Sequence, residues 1–302
     1  MKASVSSLNA AVSRAADKPM LAVLCDLVKA RLTFLVLLTM LVGFYVGARG
    51  AMDYLLMLRT LLGTALVACG AAALNQYWER EHDARMRRTA DRPLPSGRLQ
   101  PEAVLLFGGA CSIFGLVYLA GAVNLLTGLL GAITLASYVF VYTPLKRVTW
   151  LNTAVGAIPG ALPPLMGWTA ARNELAGEGW ALFAIVFFWQ IPHFLAIAWL
   201  YREEYEKAGF VMLPSLDPDG CRTGRQTVSH SFGLLTVSLT PFLFHLAGPV
   251  YLAGALVAGV AFLACALQFS RRLTRRSARQ LFFASILYLP LLMGLMVLDK
   301  LK

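Results

Sequence analysis

Charged residues are scarce in this 302-residue sequence: only 14% of its residues are Asp, Glu, Lys or Arg, against about 25% in soluble proteins. Hydrophobic residues make up 58%, and the mean hydropathy is +0.64. No long stretch has the composition of a separate soluble domain, and the alternating pattern of a membrane β-barrel is missing. Because a helical bundle is the remaining way to pair backbone groups inside a bilayer, we predict an all-α integral membrane protein.

Cysteine chemistry and N-terminal targeting signals are also weakly represented. The five cysteines include no Cys-x-x-Cys pair and no Cys-x-x-Cys-His haem attachment motif, so we expect neither disulfides nor a cysteine metal site. The first nineteen residues have no apolar core, so we expect no cleavable secretory signal. Their Ala and Ser content with few acids weakly resembles a transit peptide, which would place the chain in the mitochondrial inner membrane instead of our main expectation, the bacterial cell inner membrane.

Nine apolar segments are long enough to cross a bilayer as helices. They are residues 32–48, 54–74, 103–121, 124–141, 151–170, 180–200, 228–246, 249–269 and 281–298. Of the 27 Lys and Arg residues, 22 lie before the first segment or after an even-numbered one. The positive-inside rule then predicts a cytoplasmic N-terminus and, with nine spans, an outside C-terminus. This distribution explains the net charge of +11 without nucleic acid, and we divide the chain into a cytoplasmic segment 1–30 and one membrane domain 31–302.

A polar motif follows the second apolar segment. Asn75, Glu79 and Asp83 are spaced by four, so on a helix they form one stripe with side chains about 6 Å apart. Oxygen ligands at this spacing can share Mg²⁺, which also binds substrate phosphates. The plainer interpretation is a helix end meeting the membrane surface.

Basic residues lie close to this stripe and suit an anionic substrate. Arg88 and Arg92 follow it, and a guanidinium binds phosphate through two hydrogen bonds. Lys146, Arg147 and the polar Asn152 lie between the fourth and fifth segments. The alternative is that these cations set topology or contact lipid headgroups.

A second acidic stretch occurs after the sixth segment. Glu203 and Glu204 lie beside Arg202, just as the first carboxylates lie beside arginines. We expect two cytoplasmic functional loops, about residues 75–101 and 201–227, to face each other across Mg²⁺ and a diphosphate, because opposed carboxylates without a cation would repel.

Polar and helix-breaking residues also occur within the apolar segments. Gln190 and His193 flank Pro192 in the sixth, and buried polar groups of this kind are often functional, so we expect them to contact substrate. The fifth segment carries three prolines and three glycines between residues 156 and 167. We expect a broken or bent helix there that shapes the wall of a large pocket.

These motifs together resemble the UbiA superfamily of intramembrane prenyltransferases, and within it the haem O synthases (protohaem IX farnesyltransferases). The resemblance rests on residues 75–83 (NQYWEREHD), 142–147 (YTPLKR), 160–168 (GALPPLMGW), 189–194 (WQIPHF) and 212–214 (MLP). The chain departs from the family at positions 79, 81, 203 and 204, where Glu replaces the usual Asp, and at Arg202, where Lys is common.

The resemblance implies a nine-helix bundle around a central cavity and farnesyl transfer from farnesyl diphosphate to a vinyl group of haem B. Under it, Asn75, Glu79, Asp83, Glu203 and Glu204 would hold Mg²⁺, and Lys146 would assist catalysis. Arg88, Arg92, Arg147, Asn152, Gln190, His193 and Arg202 would bind substrate. A haem A synthase or a terminal oxidase assembly would be the expected protein partner.

Two other functions remain open at this stage. A different UbiA-type enzyme, prenylating an aromatic acid for quinone synthesis, would share the diphosphate site. A transporter could also use intramembrane His and Gln and broken helices. Against the transporter, the acidic residues cluster at one surface and not at the midplane.

Overall fold

The computed structural model describes residues 18–301, so our expectations for the N-terminal targeting segment lie almost wholly outside it. The fold is all-α, as predicted. The helices are α1 Met20–Leu27, α2 Ala30–Gly47, α3 Tyr54–Asp83, α4 Pro101–Ala122, α5 Leu125–Ala136, α6 Asn152–Arg172, α7 Gly177–Leu200, α8 Arg202–Lys207, α9 Cys221–Val237, α10 Thr240–Leu243, α11 Pro249–Arg272 and α12 Arg275–Leu298. A π-helical stretch, Ser137–Tyr142, and a last turn, Thr143–Leu145, continue α5.

Seven helices in the described part of the chain are long and apolar enough to cross a membrane: α2, α3, α4, α5 with its extension, α7, α11 and α12. Their outer surfaces expose many large apolar side chains, such as Leu106, Val257 and Leu298, and such surfaces require lipid around them. The chain is therefore a multi-pass membrane protein. Helices also occupy the other two predicted positions, as α6 and α9. The 21-residue α6 is long enough for a span but not apolar enough, and α9 has only 17 residues, so the number nine remains a prediction.

The helix α9 differs from the predicted seventh span. It begins at Cys221 and ends at Val237, whereas we predicted residues 228–246. Its early start follows from Asp217, whose carboxylate accepts hydrogen bonds from the backbone N–H groups of Arg222 (3.3 Å) and Thr223 (2.7 Å). These bonds satisfy first-turn donors that hydropathy does not register.

The helix α3 carries the predicted polar stripe out of the membrane. Its 30 residues make it about 45 Å long, whereas the hydrocarbon core of a bilayer is about 30 Å thick. Asp53 caps its first turn by accepting a hydrogen bond from the Leu56 N–H at 2.8 Å. Residues 75–83 are therefore the last turns of this helix, and the irregular part of the first loop begins at residue 84.

The proline-rich helix α6 is continuous from Asn152 to Arg172. Of the broken or bent helix that we expected, the break is therefore wrong and the bend stays a prediction. It packs against α2 with the two backbones almost in contact. A Cβ atom added at Gly43 would lie 2.0 Å from the Pro164 carbonyl oxygen, and one at Gly167 would lie 2.0 Å from that of Met40. Small residues allow this close approach in membrane bundles. Pro159 and Pro163 do line a cavity, as expected of a pocket wall.

Candidate functional site

A cavity of about 290 Å³ lies between α2, α3, α5, α6 and α7. Leu32, Val36 and Ala68 are among the apolar residues that line it, whereas Lys29 and Lys146 are among the polar ones. Its volume is at the lower end of the range of ligand pockets, and its mostly apolar lining with a few polar groups is typical of them. A ligand with a charged head and an apolar tail fits this distribution.

The predicted stripe is present on the last three turns of α3. Asn75, Glu79 and Asp83 are all buried, with at most 3% of each residue exposed. Each one meets a cationic side chain from another part of the chain. Asn75 Oδ1 accepts a hydrogen bond from Lys29 Nζ at 2.6 Å. Lys146 Nζ lies 2.7 Å from Glu79 Oε1, and Arg92 Nη1 lies 2.6 Å from Asp83 Oδ2.

The end of α5 positions the partners of this stripe. The Asn75 side-chain amide donates to Thr143 Oγ1 at 2.9 Å, and Lys29 Nζ donates to the Tyr138 hydroxyl at 3.3 Å. Tyr138 and Tyr142 lie in the π-helical stretch, and both line the cavity. Short π-helical stretches are frequent at functional sites because they turn side chains towards a new direction.

The two lysines of the site lie just outside the membrane-spanning segments and differ in their electrostatics. Burial of Lys146 favours its neutral amine and so acts to lower its pKa. The Glu79 carboxylate acts in the opposite direction and prevails, so the pKa of Lys146 lies above its usual value. Among residues 18–301, no carboxylate is in contact with Lys29, whose hydrogen bonds go to Asn75 and Tyr138. Burial, reinforced by the Arg92 guanidinium, lowers the pKa of Lys29 to about 7. Lys146 is therefore firmly cationic, whereas the Lys29 ammonium lacks a compensating anion.

The second acidic stretch lies on α8. Glu203 is exposed, and Glu204 is half-buried with a buried Oε2 that finds no hydrogen-bond partner in the described part of the chain. Arg202 stacks over the Trp199 ring at 5.0 Å. Within residues 18–301 no three His, Cys, Asp or Glu side chains are grouped closely enough to hold a metal ion. The carboxylates of α3 are paired with cations, and the expected convergence of Glu203 and Glu204 on them stays a prediction.

The remaining predicted site residues divide into two groups. Arg88, Asn152 and Gln190 line the cavity. Arg147 is exposed and donates to the Trp78 carbonyl oxygen at 2.8 Å. His193 faces α12, where its Nδ1 lies 2.7 Å from Ser285 Oγ.

The polar groups that line the cavity are held by hydrogen bonds. Arg88 donates to the Tyr205 hydroxyl at 3.1 Å, and Asn152 donates to the Val211 carbonyl oxygen at 2.7 Å. Gln190 donates to the Ala157 carbonyl oxygen of α6 at 3.3 Å. These bonds position the two loops and α7 around the polar part of the cavity.

Sequence reasoning missed Lys29 as a site residue and counted it only among the topology-setting cations. Its left-handed backbone (φ 48°) before α2 and its cavity-lining position have no local sequence signal. His82 joins the two loops by a hydrogen bond between its Nδ1 and the Ala208 carbonyl oxygen at 2.8 Å. Glu81 is exposed and lies 3.7 Å from Arg80.

Comparison with known proteins places this architecture in a family. The chain is 49% identical over 284 residues to a protoheme IX farnesyltransferase of Solibacter usitatus, covering 91% of this chain and 97% of that protein. It is 46% identical over 280 residues to a protoheme IX farnesyltransferase of Myxococcus xanthus, covering 92% and 94%.

Solved structures share the fold at lower identity. A UbiA homolog from Archaeoglobus fulgidus bound to DMAPP and Mg²⁺ superposes with a TM-score of 0.65 at 17% identity, over 90% of this chain and 98% of that one. A digeranylgeranylglyceryl phosphate synthase gives 0.79 at 15% identity, over 92% and 98%. The model of the UbiA prenyltransferase family matches residues 36–287, and the chain therefore belongs to this family.

Proposed function

We propose that this chain transfers the farnesyl group of farnesyl diphosphate to a vinyl group of haem B, with addition of water, to give haem O and diphosphate. The observation that carries the proposal is the 49% identity over 91% of the chain to a relative that is named a protoheme IX farnesyltransferase. The cavity supports it, since a charged head group and an apolar chain match its two kinds of lining. Most Lys and Arg residues lie in loops on one predicted side of the membrane, which supports an orientation with these loops in the cytoplasm. The membrane that we propose is the bacterial inner membrane.

The stripe carries oxygen donors of the kind that Mg²⁺ prefers. Asn75, Glu79 and Asp83 offer the oxygen atoms that this ion prefers, and the buried Oε2 of Glu204 is an oxygen without a partner among residues 18–301. These residues, with Glu203 as a further carboxylate on α8, would hold the ion. When bound, Mg²⁺ would neutralise negative charge on the diphosphate and make it a better leaving group.

The cationic side chains would stabilise the departing diphosphate. As the bond between the allylic carbon and the diphosphate oxygen breaks, the electron pair stays on that oxygen and its charge grows. Lys146 and Arg88 line the cavity, and Arg92 is paired with Asp83 of the stripe. Donors already held in place cost no reorganisation when charge develops, so they lower the barrier.

The apolar lining would protect the allylic cation. The rings of Tyr138, Tyr142 and Phe194 line the cavity, and aromatic faces attract positive charge. The vinyl group then supplies its electron pair to the allylic carbon, which moves the positive charge to the haem side chain. Water adds there and loses a proton, leaving a hydroxyl group.

The acceptor is tested by measuring diphosphate release. Purified protein in detergent receives farnesyl diphosphate and Mg²⁺ with haem B, with a phenolic acid, or with neither. We expect release to depend on haem B. Release that depends on the phenolic acid would reassign the chain to quinone synthesis, and the absence of release from folded protein would contradict prenyl transfer altogether.

A further inference from the structure

The polar part of the cavity holds more positive than negative charge. Lys146 is paired with Glu79 and Arg92 with Asp83. Lys29 and Arg88 also line the cavity, and within residues 18–301 neither forms an ion pair with a carboxylate. Arg88 lies at the exposed edge, where water screens its charge. Lys29 is half-buried and lines the cavity, so water screens its charge less than that of Arg88, and its charge is the one that most needs an anion.

Both contacts of the Lys29 ammonium are with neutral oxygen atoms. They are Asn75 Oδ1 at 2.6 Å and the Tyr138 hydroxyl at 3.3 Å. Its backbone is fixed, since its carbonyl oxygen accepts hydrogen bonds from the N–H groups of Leu32 (2.8 Å) and Thr33 (3.0 Å) at the start of α2. Any movement of the ammonium must therefore come from the flexible side chain, while its anchor stays at the cavity wall.

The ammonium also occupies an oxygen that the proposed function assigns to a metal ion. Asn75 Oδ1, Glu79 Oε1 and Asp83 Oδ2 each hold one cationic nitrogen at 2.6–2.7 Å. A divalent cation held by these oxygens would compete with the nitrogens, because positive charges brought this close to one another repel. The displaced groups then need a new anion, and a diphosphate bound to the same metal ion is one.

We infer that Lys29 is a diphosphate-binding residue whose ammonium leaves Asn75 Oδ1 for a diphosphate oxygen when the divalent cation binds. The inference rests on the proposed function. It adds Lys29 to the residues that bind the diphosphate, and it predicts how metal binding and diphosphate binding affect each other. In the absence of diphosphate, Lys29 competes with the metal ion, so the metal ion alone binds weakly. Bound diphosphate therefore raises the affinity for the metal ion, and the bound metal ion raises the affinity for diphosphate. Both increases depend on Lys29.

The experiment compares Lys29→Met with Arg31→Met, which removes the charge of a neighbouring exposed residue. Binding of Mn²⁺ alone is followed by electron paramagnetic resonance. Binding of labelled inorganic pyrophosphate at a fixed Mn²⁺ concentration is followed by equilibrium dialysis. Thermal unfolding shows that each variant is folded, and Lys29→Arg, which keeps the charge, serves as a second variant.

We expect Lys29→Met to bind Mn²⁺ alone more tightly than the wild type. It should bind pyrophosphate roughly tenfold to a hundredfold more weakly, as for the loss of one charge-assisted hydrogen bond. Lys29→Arg and Arg31→Met should keep wild-type pyrophosphate affinity. Equal pyrophosphate affinity in Lys29→Met and Arg31→Met would overturn the diphosphate contact, and unchanged or weaker Mn²⁺ affinity would overturn the exchange. A wild-type protein that binds neither probe would instead contradict the proposed function.

Discussion

Replacing Lys146 by Met separates the stability of the site from its chemistry. The substitution keeps most of the side-chain volume but leaves the Glu79 carboxylate buried without its partner, which lies 2.7 Å away in the wild type. Both side chains are at most 14% exposed, so water cannot replace the ammonium. Removing one partner of such a pair costs about 3–5 kcal/mol of unfolding free energy. The lower end is expected, since Lys29 and Arg92 remain close to the stripe.

The double variant Lys146→Met with Glu79→Gln removes both charges together. Replacing a buried ion pair by neutral side chains is often close to neutral for stability, so we expect most of the lost unfolding free energy to return. Activity should not return, because a cation that contacts the departing diphosphate contributes about 10²–10³ in rate. Arg87→Met, which removes an exposed charge at a position with no assigned role, is the control.

The assay combines denaturant unfolding in mixed micelles with diphosphate release in the presence of haem B. Stability should follow the order wild type, double variant, single variant, whereas both variants should be inactive. A double variant as unstable as the single variant would refute the buried pair as the source of the loss. A double variant with wild-type activity would refute the role of Lys146 in catalysis.

Three further predictions concern packing, substrate binding and pH. Gly43→Ala should lower the unfolding free energy by about 1–3 kcal/mol, measured by denaturant unfolding, because its Cβ would collide with the α6 backbone. Gly294→Ala, which has open space around its Cβ, should unfold like the wild type in the same measurement. Arg88→Met should raise the KM for farnesyl diphosphate about tenfold or more, and exposed Arg87→Met should not. Burial opposes ionisation of Asp217, but hydrogen bonds from the Thr223 backbone and side chain outweigh it and hold its pKa below the usual value. The stability that it contributes is therefore complete above about pH 4 and is lost as the pH falls through the lowered pKa, and melts of Asp217→Asn should lack this loss.

The all-α membrane fold and the stripe on α3 were predictable from the sequence because both depend on local information. Apolar run length sets the spans, and a spacing of four places Asn75, Glu79 and Asp83 on one helix face. The cationic partners could be placed only near the stripe, because their pairing depends on the tertiary fold. Lys29 is 46 residues from Asn75 in sequence, and only the packing of α2 against α3 brings the two together.

Other features of the structure could not be predicted from the sequence, because they do not depend on hydropathy. The start of α9 depends on one carboxylate cap at Asp217 and not on apolarity. Three prolines suggested a broken or bent α6, yet the helix is not broken. The orientation of His193 towards α12, and not into the cavity, depends on the rotation of α7 about its axis, which an apolar segment does not encode.

The most direct test of the account is the mass of the haem recovered after incubation with farnesyl diphosphate and Mg²⁺. Purified protein is incubated with haem B and both components, and the extracted haem is analysed by mass spectrometry. The account predicts a product heavier than haem B by one farnesyl group and one water, and its absence when either farnesyl diphosphate or Mg²⁺ is omitted. Haem B recovered unmodified from folded protein that binds both substrates would contradict it.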